Sequence, residues 1–107
     1  MSYHVDYSDD SKKDLKAFND FQKEQVYKAI RKVSKNPLPQ NEGGYGKPLG
    51  NKSGQNLTGL LKIKLLKLGV RVVYKLVRED SIMKIIVVSV RADNEVYDIA
   101  AKRTNSR

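Results

Sequence analysis

Leu57-Thr-Gly-Leu-Leu-Lys-Ile-Lys-Leu65, Gly69-Val-Arg-Val-Val-Tyr74 and Ile85-Ile-Val-Val-Ser-Val-Arg91 decide the fold of this chain, with Glu95-Val-Tyr97 closing them. The three runs are rich in aliphatic and β-branched residues and bounded by turn residues, as strands are. In the first, alternation sets Leu57, Gly59, Leu61, Ile63 and Leu65 on one face and Lys62 and Lys64 on the other. Lys67-Leu68-Gly69 reads as a turn, with Gly69 free to take a positive φ. The second strand covers 70–78, Glu79-Asp80 turns the chain, and the third strand covers 82–91. That last strand is apolar on both faces, Met83, Ile85 and Val87 against Ile82, Ile86 and Val88, which predicts a place inside the sheet.

Towards the N-terminus, Ser2–Tyr7 alternates and reads as a short first strand. Ser11-x-x-Asp14 matches a capping box, and Asp9, Asp10 and Asp14 suit a helix start. Asn19-x-x-Gln22 matches a second one, ahead of a helix with Val26, Ala29, Ile30 and Val33 on one face. Two antiparallel helices are expected, a single bent helix being the alternative, and Pro37 ends them. The 36–55 stretch is rich in Pro, Gly, Asn and Gln and reads as one long loop. Its Gly43-x-x-Gly46 lacks the Gly-Lys-Ser/Thr ending and the preceding strand of a phosphate-binding loop, so Tyr45 and Lys47 are assigned to turn chemistry. Beyond the strands, Asp93 or Asn94 caps a short helix containing Val96, Tyr97, Ile99, Ala100 and Ala101, and 104–107 is expected to fray. The predicted fold is α+β: a mostly antiparallel four-stranded sheet in the order β-α-α-β-β-β-α, with two N-terminal helices packed on it.

At 107 residues the chain makes one domain, residues 1–107. It has no cysteine, which removes disulfides and thiolate metal sites and fits a cytoplasmic setting. Residues 1–7 turn polar at once, unlike a signal peptide, and no apolar run is long enough to span a membrane. Lys and Arg number 21 against 12 for Asp and Glu, a net charge of +9. The excess concentrates in the strands, for residues 55–75 hold Lys62, Lys64, Lys67, Arg71 and Lys75 and no acid. Such a patch favours nucleic acid, an anionic membrane or an acidic protein, with solvated surface charge as the plain alternative.

With an even-length turn at Lys67–Gly69, Lys64 faces Arg71 across the hairpin, and Lys62 lies two residues along the same face. Facing cations repel unless an anion sits between them. Neither strand supplies an acid, and a phosphate would serve. Ordinary acid–base equipment is scarce. His4 is the sole histidine and reads as a structural or surface residue, which leaves no transition-metal donor set, and Asp93, Glu95 and Asp98 suit a helix start. Lys, Arg and Tyr can still cleave RNA, because its 2′-hydroxyl is an internal nucleophile that needs only orientation, proton transfer and phosphate stabilisation. A tyrosine, with a pKa of about 10 in water, serves as base where neighbouring cations lower that value. Tyr97 itself reads first as a helix residue packing on the sheet, and second as such a base.

Lys62-Ile-Lys-Leu65, Gly69-Val-Arg-Val-Val-Tyr74, Ile86-Val-Val-Ser-Val-Arg91 and Glu95-Val-Tyr97 followed by Ala100-Ala-Lys-Arg103 together resemble the RelE branch of the RelE/ParE toxin superfamily. The resemblance covers most of the chain, including Lys47-Pro-Leu-Gly50. It implies a toxin of a type II toxin–antitoxin pair that enters the ribosomal A site and cleaves mRNA there, without a cofactor. Lys62, Lys64 and Arg71 would then stabilise the phosphate, Tyr97 would take the 2′-hydroxyl proton and Arg91 would protonate the leaving 5′-oxygen. The implied partners are the ribosome, mRNA and a RelB-like antitoxin, with operator DNA reached only through the antitoxin complex. Lys67 and Lys75 become surface charge. Two departures stand out: Val90 occupies a position often basic in the family, and Asp93 and Glu95 bring negative charge beside the site. ParE-like members, which act on DNA gyrase, lack this residue set, and a non-catalytic basic RNA- or protein-binding module is the third reading.

Overall fold

The computed structural model describes residues 2–52 and 55–105. The chain runs β1 (His4–Tyr7), α1 (Asp9–Lys16), α2 (Asp20–Ser34), β2 (Lys47–Lys52), β3 (Gln55–Leu65), β4 (Val70–Val77), β5 (Ile82–Ser89) and α3 (Asp93–Asn105). The strands form one sheet in the order β1-β5-β4-β3-β2, with β1 parallel to β5 and the other pairs antiparallel. The class is α+β, as expected, but among the described residues the sheet has five strands rather than four. The added strand, β2, lies within the 36–55 stretch read as loop. Its sequence, Lys-Pro-Leu-Gly-Asn-Lys, has no alternation, and its ladder with β3 supplies the order that composition did not signal. Gly54, counted in that loop, and residues 106–107 of the expected tail lie outside the described residues. Thr104 and Asn105 belong to α3, so that helix is not short.

Local chemistry sets the helix starts. Ser8 caps α1, its Oγ accepting the Ser11 amide at 3.1 Å, so the cap lies one turn before the expected Ser11-x-x-Asp14 box. Asp14 is drawn away to β5, where it accepts the Val88 amide at 2.9 Å. At α2 the capping box is reciprocal: the Gln22 amide donates to Asn19 Oδ1 at 2.8 Å and the Asn19 amide to Gln22 Oε1 at 2.9 Å. The two helices are separate.

Each face of the sheet carries its own core. On one, Leu15, Val26, Ile30 and Val33 of α1 and α2 bury against Leu61, Val70, Val72, Tyr74, Met83, Ile85 and Val88. On the other, α3 covers Leu49, Leu57, Leu60, Val73, Ile86 and Val87 with Val96, Tyr97, Ala100 and Ala101. Two irregularities break the expected alternation. The β2–β3 register shifts between Pro48 and Gly50, with Gly59 at φ 89°, a backbone state that glycine adopts without a Cβ clash. Leu57 consequently faces α3 instead of sharing a face with Leu61. In β5, Val73 pairs with Val87 but Tyr74 with Ile85, so Ile86 is an extra residue. Val87 therefore turns towards α3 and Val88 towards α1 and α2, the reverse of the predicted faces. β5 is nevertheless an interior strand, as its two-sided apolar pattern required.

The β3–β4 hairpin keeps the anticipated register. Lys64 pairs with Arg71, Lys62 with Val73 and Ile63 with Val72, and Gly69 takes a φ of 66°. The face with α3 thus carries Lys62, Lys64 and Arg71 side by side.

Candidate active site

Strand period and helix period meet at this cluster. Lys62 and Lys64 are two residues apart on β3 and point to one face, while Arg71 stands directly across from Lys64 on β4. Asp93 and Tyr97 are four residues apart on α3, one turn of the same helix face, and that face lies over these cations. Lys62 is 5% exposed, and its ammonium donates to the Tyr97 hydroxyl at 2.5 Å. Tyr97 is also 5% exposed and belongs to the core under α3, so it packs on the sheet while its hydroxyl meets the Lys62 ammonium.

Asp93 is the residue that the strand pattern could not supply. Arg71 Nε donates to its Oδ1, Lys64 Nζ lies 3.2 Å from Oδ2 and Lys62 Nζ 3.4 Å from the same oxygen. Partial burial pushes the carboxyl up, but hydrogen bonds from Arg71 and Lys64 and the charges of Lys62 and Lys64 outweigh it and hold the group at about 2. Three cations surround one carboxylate, which leaves the cluster with an excess of positive charge. The sequence reading named Asp93 as a helix cap and as negative charge beside the site. Its role as acceptor for three strand cations was missed, since no spacing rule links α3 to β3 and β4.

Arg91 stands apart from the other four. The expected third strand reached Arg91, but β5 ends at Ser89 and Arg91 falls in the link to α3. Its carbonyl accepts Arg71 Nη1 at 2.9 Å, and its guanidinium pairs with Glu95 at 2.9 Å, with the arginine side chain 62% exposed. Arg91 is thus tied to the cluster through its backbone, while its charged group faces solvent beside it.

A second polar junction was not anticipated. Arg103 of α3 donates to both oxygens of Asp14, at 2.8 and 3.0 Å, and to the Ile86 carbonyl at 2.8 Å. Asp14 also accepts the Val88 amide. These are the carbonyl of the extra residue of β5 and the amide two residues on, so the pair gives hydrogen-bond partners to the backbone at the bulge.

Chemically, the first cluster gathers three cations around one carboxylate, with a phenol oxygen at its edge that already receives a hydrogen bond from an ammonium. No family model and no curated protein sequence matches the chain. Solved structures do. Free Escherichia coli toxin RelE, in a form with two arginines replaced by alanine, is 26% identical at a TM-score of 0.75, over 96% of this chain and 98% of that one. The same RelE form in complex with a peptide of the antitoxin RelB gives 26% and 0.68 over 96% and 98%. The toxin–antitoxin complex RelBE2 of Mycobacterium tuberculosis, 24% identical at 0.69 over 87% and 95%, shares the fold. With 96% of this chain matched to RelE at 26% identity and a TM-score of up to 0.75, the protein has the fold of the RelE toxin superfamily and is similar to its RelE members.

Proposed function

We propose that the protein is the toxin of a type II toxin–antitoxin pair, and that it works in the cytoplasm as an endoribonuclease cutting mRNA in the ribosomal A site. The observation that carries this reading is the Lys62–Tyr97 contact beside Lys64 and Arg71. In the proposed reaction the 2′-hydroxyl of the substrate attacks the adjacent phosphorus, the bond to the 5′-oxygen breaks, and a cyclic phosphate and a 5′-hydroxyl result. Tyr97, reacting as a phenolate that the Lys62 ammonium stabilises, takes the 2′-hydroxyl proton and becomes a neutral phenol. Lys64 and Arg71 hold the non-bridging oxygens as charge accumulates on them. Arg91, which faces solvent beside the cluster, swings from Glu95 to supply the proton for the leaving oxygen. The ribosome contributes the orientation of the RNA, a term worth several powers of ten in rate. The partner that silences the protein is an antitoxin whose acidic side chains complement a chain of charge +9.

Induced expression followed by mapping of mRNA 5′ ends tests the proposal. The wild-type protein is expected to cut within translated codons. Tyr97→Phe is expected to reduce cutting by ~10²–10⁴-fold, the usual contribution of a general base, and Arg71→Ala and Arg91→Ala to relieve growth arrest while folded protein accumulates. Intact transcripts accompanied by DNA damage would move the protein to the gyrase-directed branch. Arrest undiminished in all three variants would remove the site assignment.

A further inference from the structure

We infer that Asp93 is a built-in occupant of the phosphate subsite and thereby determines which anions bind there, an inference that rests on reading the cluster as a site for RNA phosphate. Its carboxylate engages Arg71 and Lys64 and approaches Lys62, the same three cations assigned to the phosphate. To such cations a carboxylate and a phosphodiester present the same feature, two terminal oxygens sharing one negative charge. The two cannot occupy the cluster together without repulsion. A lone phosphate that replaces Asp93 exchanges one set of charge-assisted hydrogen bonds for a similar set and gains little. An oligonucleotide held elsewhere along its length has further binding energy with which to expel the carboxylate. Expulsion is feasible, because the Asp93 side chain is one-third exposed and water is available to the released charge. Asp93 is therefore a specificity-determining residue. It discriminates against small phosphates and free RNA and in favour of RNA already positioned by other contacts, as on a ribosome.

The experiment compares the full-length wild-type chain, Asp93→Asn and a charge control, Glu24→Gln, which removes the same charge from an exposed position on α2. The probes are a 2′-O-methyl RNA hexanucleotide, which cannot be cut, and inorganic phosphate, each titrated by fluorescence anisotropy or NMR over a range of salt. Asp93→Asn is expected to bind the hexanucleotide about tenfold more tightly, the scale of one charge-assisted contact. Its salt slope is expected to steepen by about one. Inorganic phosphate should shift the Lys62, Lys64 and Arg71 resonances at lower concentration, and Glu24→Gln should change affinity less than twofold. Cleavage of free RNA should rise more than cleavage on ribosomes. Thermal unfolding verifies that the variant is folded, and Asp93→Ser, which keeps a hydroxyl acceptor at the helix start, replaces Asp93→Asn if it is not. Unchanged or weaker binding in the folded variant overturns the inference, because Asp93 would then be holding Arg71 and Lys64 in place for the ligand. A wild-type chain that leaves ribosomal mRNA uncut, together with a variant that binds more tightly, would refute the nuclease reading while supporting Asp93 as the internal anion.

Discussion

Asp93 brings together cations that the β3–β4 hairpin by itself would set against one another. Lys64 and Arg71 are cross-strand neighbours of like charge, and Lys62 is buried one pleat away. The Asp93 carboxyl, held at about 2, links this cluster to acid stability. Its folded value lies below its unfolded value, so its contribution is complete above about pH 4 and is lost as the pH falls through 2. Asp93→Asn removes that contribution. Urea unfolding between pH 2 and pH 7 is therefore expected to show a gap of about 1 kcal/mol between wild type and variant at neutral pH, after allowance for solvent screening. The gap should close towards pH 2. A gap that persists undiminished at the acid end would mean that the three cations do not act through the charge of Asp93. The cations themselves were readable from residue type and strand period, whereas the carboxylate that joins them was not.

At the level of elements, the loop before β2 illustrates how a segment without periodicity becomes ordered. Pro39 bridges to Gly46, a single 3-10 turn covers Gln40–Glu42, and the buried Tyr74 hydroxyl donates to the Pro37 carbonyl at 2.8 Å. Burial raises the Tyr74 hydroxyl well above the ordinary tyrosine value, so it remains a neutral donor throughout the physiological range. Tyr74→Phe leaves the Pro37 carbonyl without this partner and is expected to cost ~1–2 kcal/mol in urea unfolding. Amide exchange should quicken at Gly44–Gly46. Gly44 is confined more severely, for a Cβ there would lie 2.0 Å from the Leu38 carbonyl oxygen. Gly44→Ala should therefore open this loop, a change visible as lost exchange protection at Tyr45 and Gly46, whose amides donate to Asn36 and Leu38 carbonyls. None of this follows from composition, since the same Pro and Gly residues would equally punctuate a solvated loop. The capping box at Asn19, by contrast, was legible because all its groups lie within four residues.

Over the whole molecule, three elements distant in sequence meet where Arg103 of α3 bonds Asp14 of α1 and the carbonyl of Ile86 in β5. The pair is mostly buried, with 22% and 17% of the two side chains exposed. Arg103→Ala leaves Asp14 partly buried without its counter-charge and is expected to destabilise the fold by ~2–4 kcal/mol, somewhat below the range for a fully buried pair. Calorimetry should show a fall in Tm of at least ~8 °C. The cation cluster lies at the other end of α3, so the same variant, assayed well below its Tm, should retain hexanucleotide affinity within about twofold. A loss of affinity in proportion to the loss of stability would show that α3 transmits strain along its length, and that the two ends are not independent.

The residue order alone was enough for the three strand runs from Leu57 onward, the α+β class and the side-chain chemistry gathered on one hairpin face, and the Lys64–Arg71 register followed from it once an even-length turn was assumed. Each of these depends on groups within one hairpin or one helical turn, where period and turn length leave few choices. The tertiary structure decided the rest: β2 as a fifth strand, the shifts at Gly59 and Ile86 that exchange core faces, and Asp93 among the cations. Those features depend on partners that the fold brings from elsewhere in the chain. Lys62 and Asp93 are 31 residues apart, Asp14 and Arg103 are 89. No local pattern encodes such a meeting. The basic face from Lys62 to Arg71 was legible as a cluster of like charges, and only the packing of α3 revealed that the protein brings an anion of its own to it.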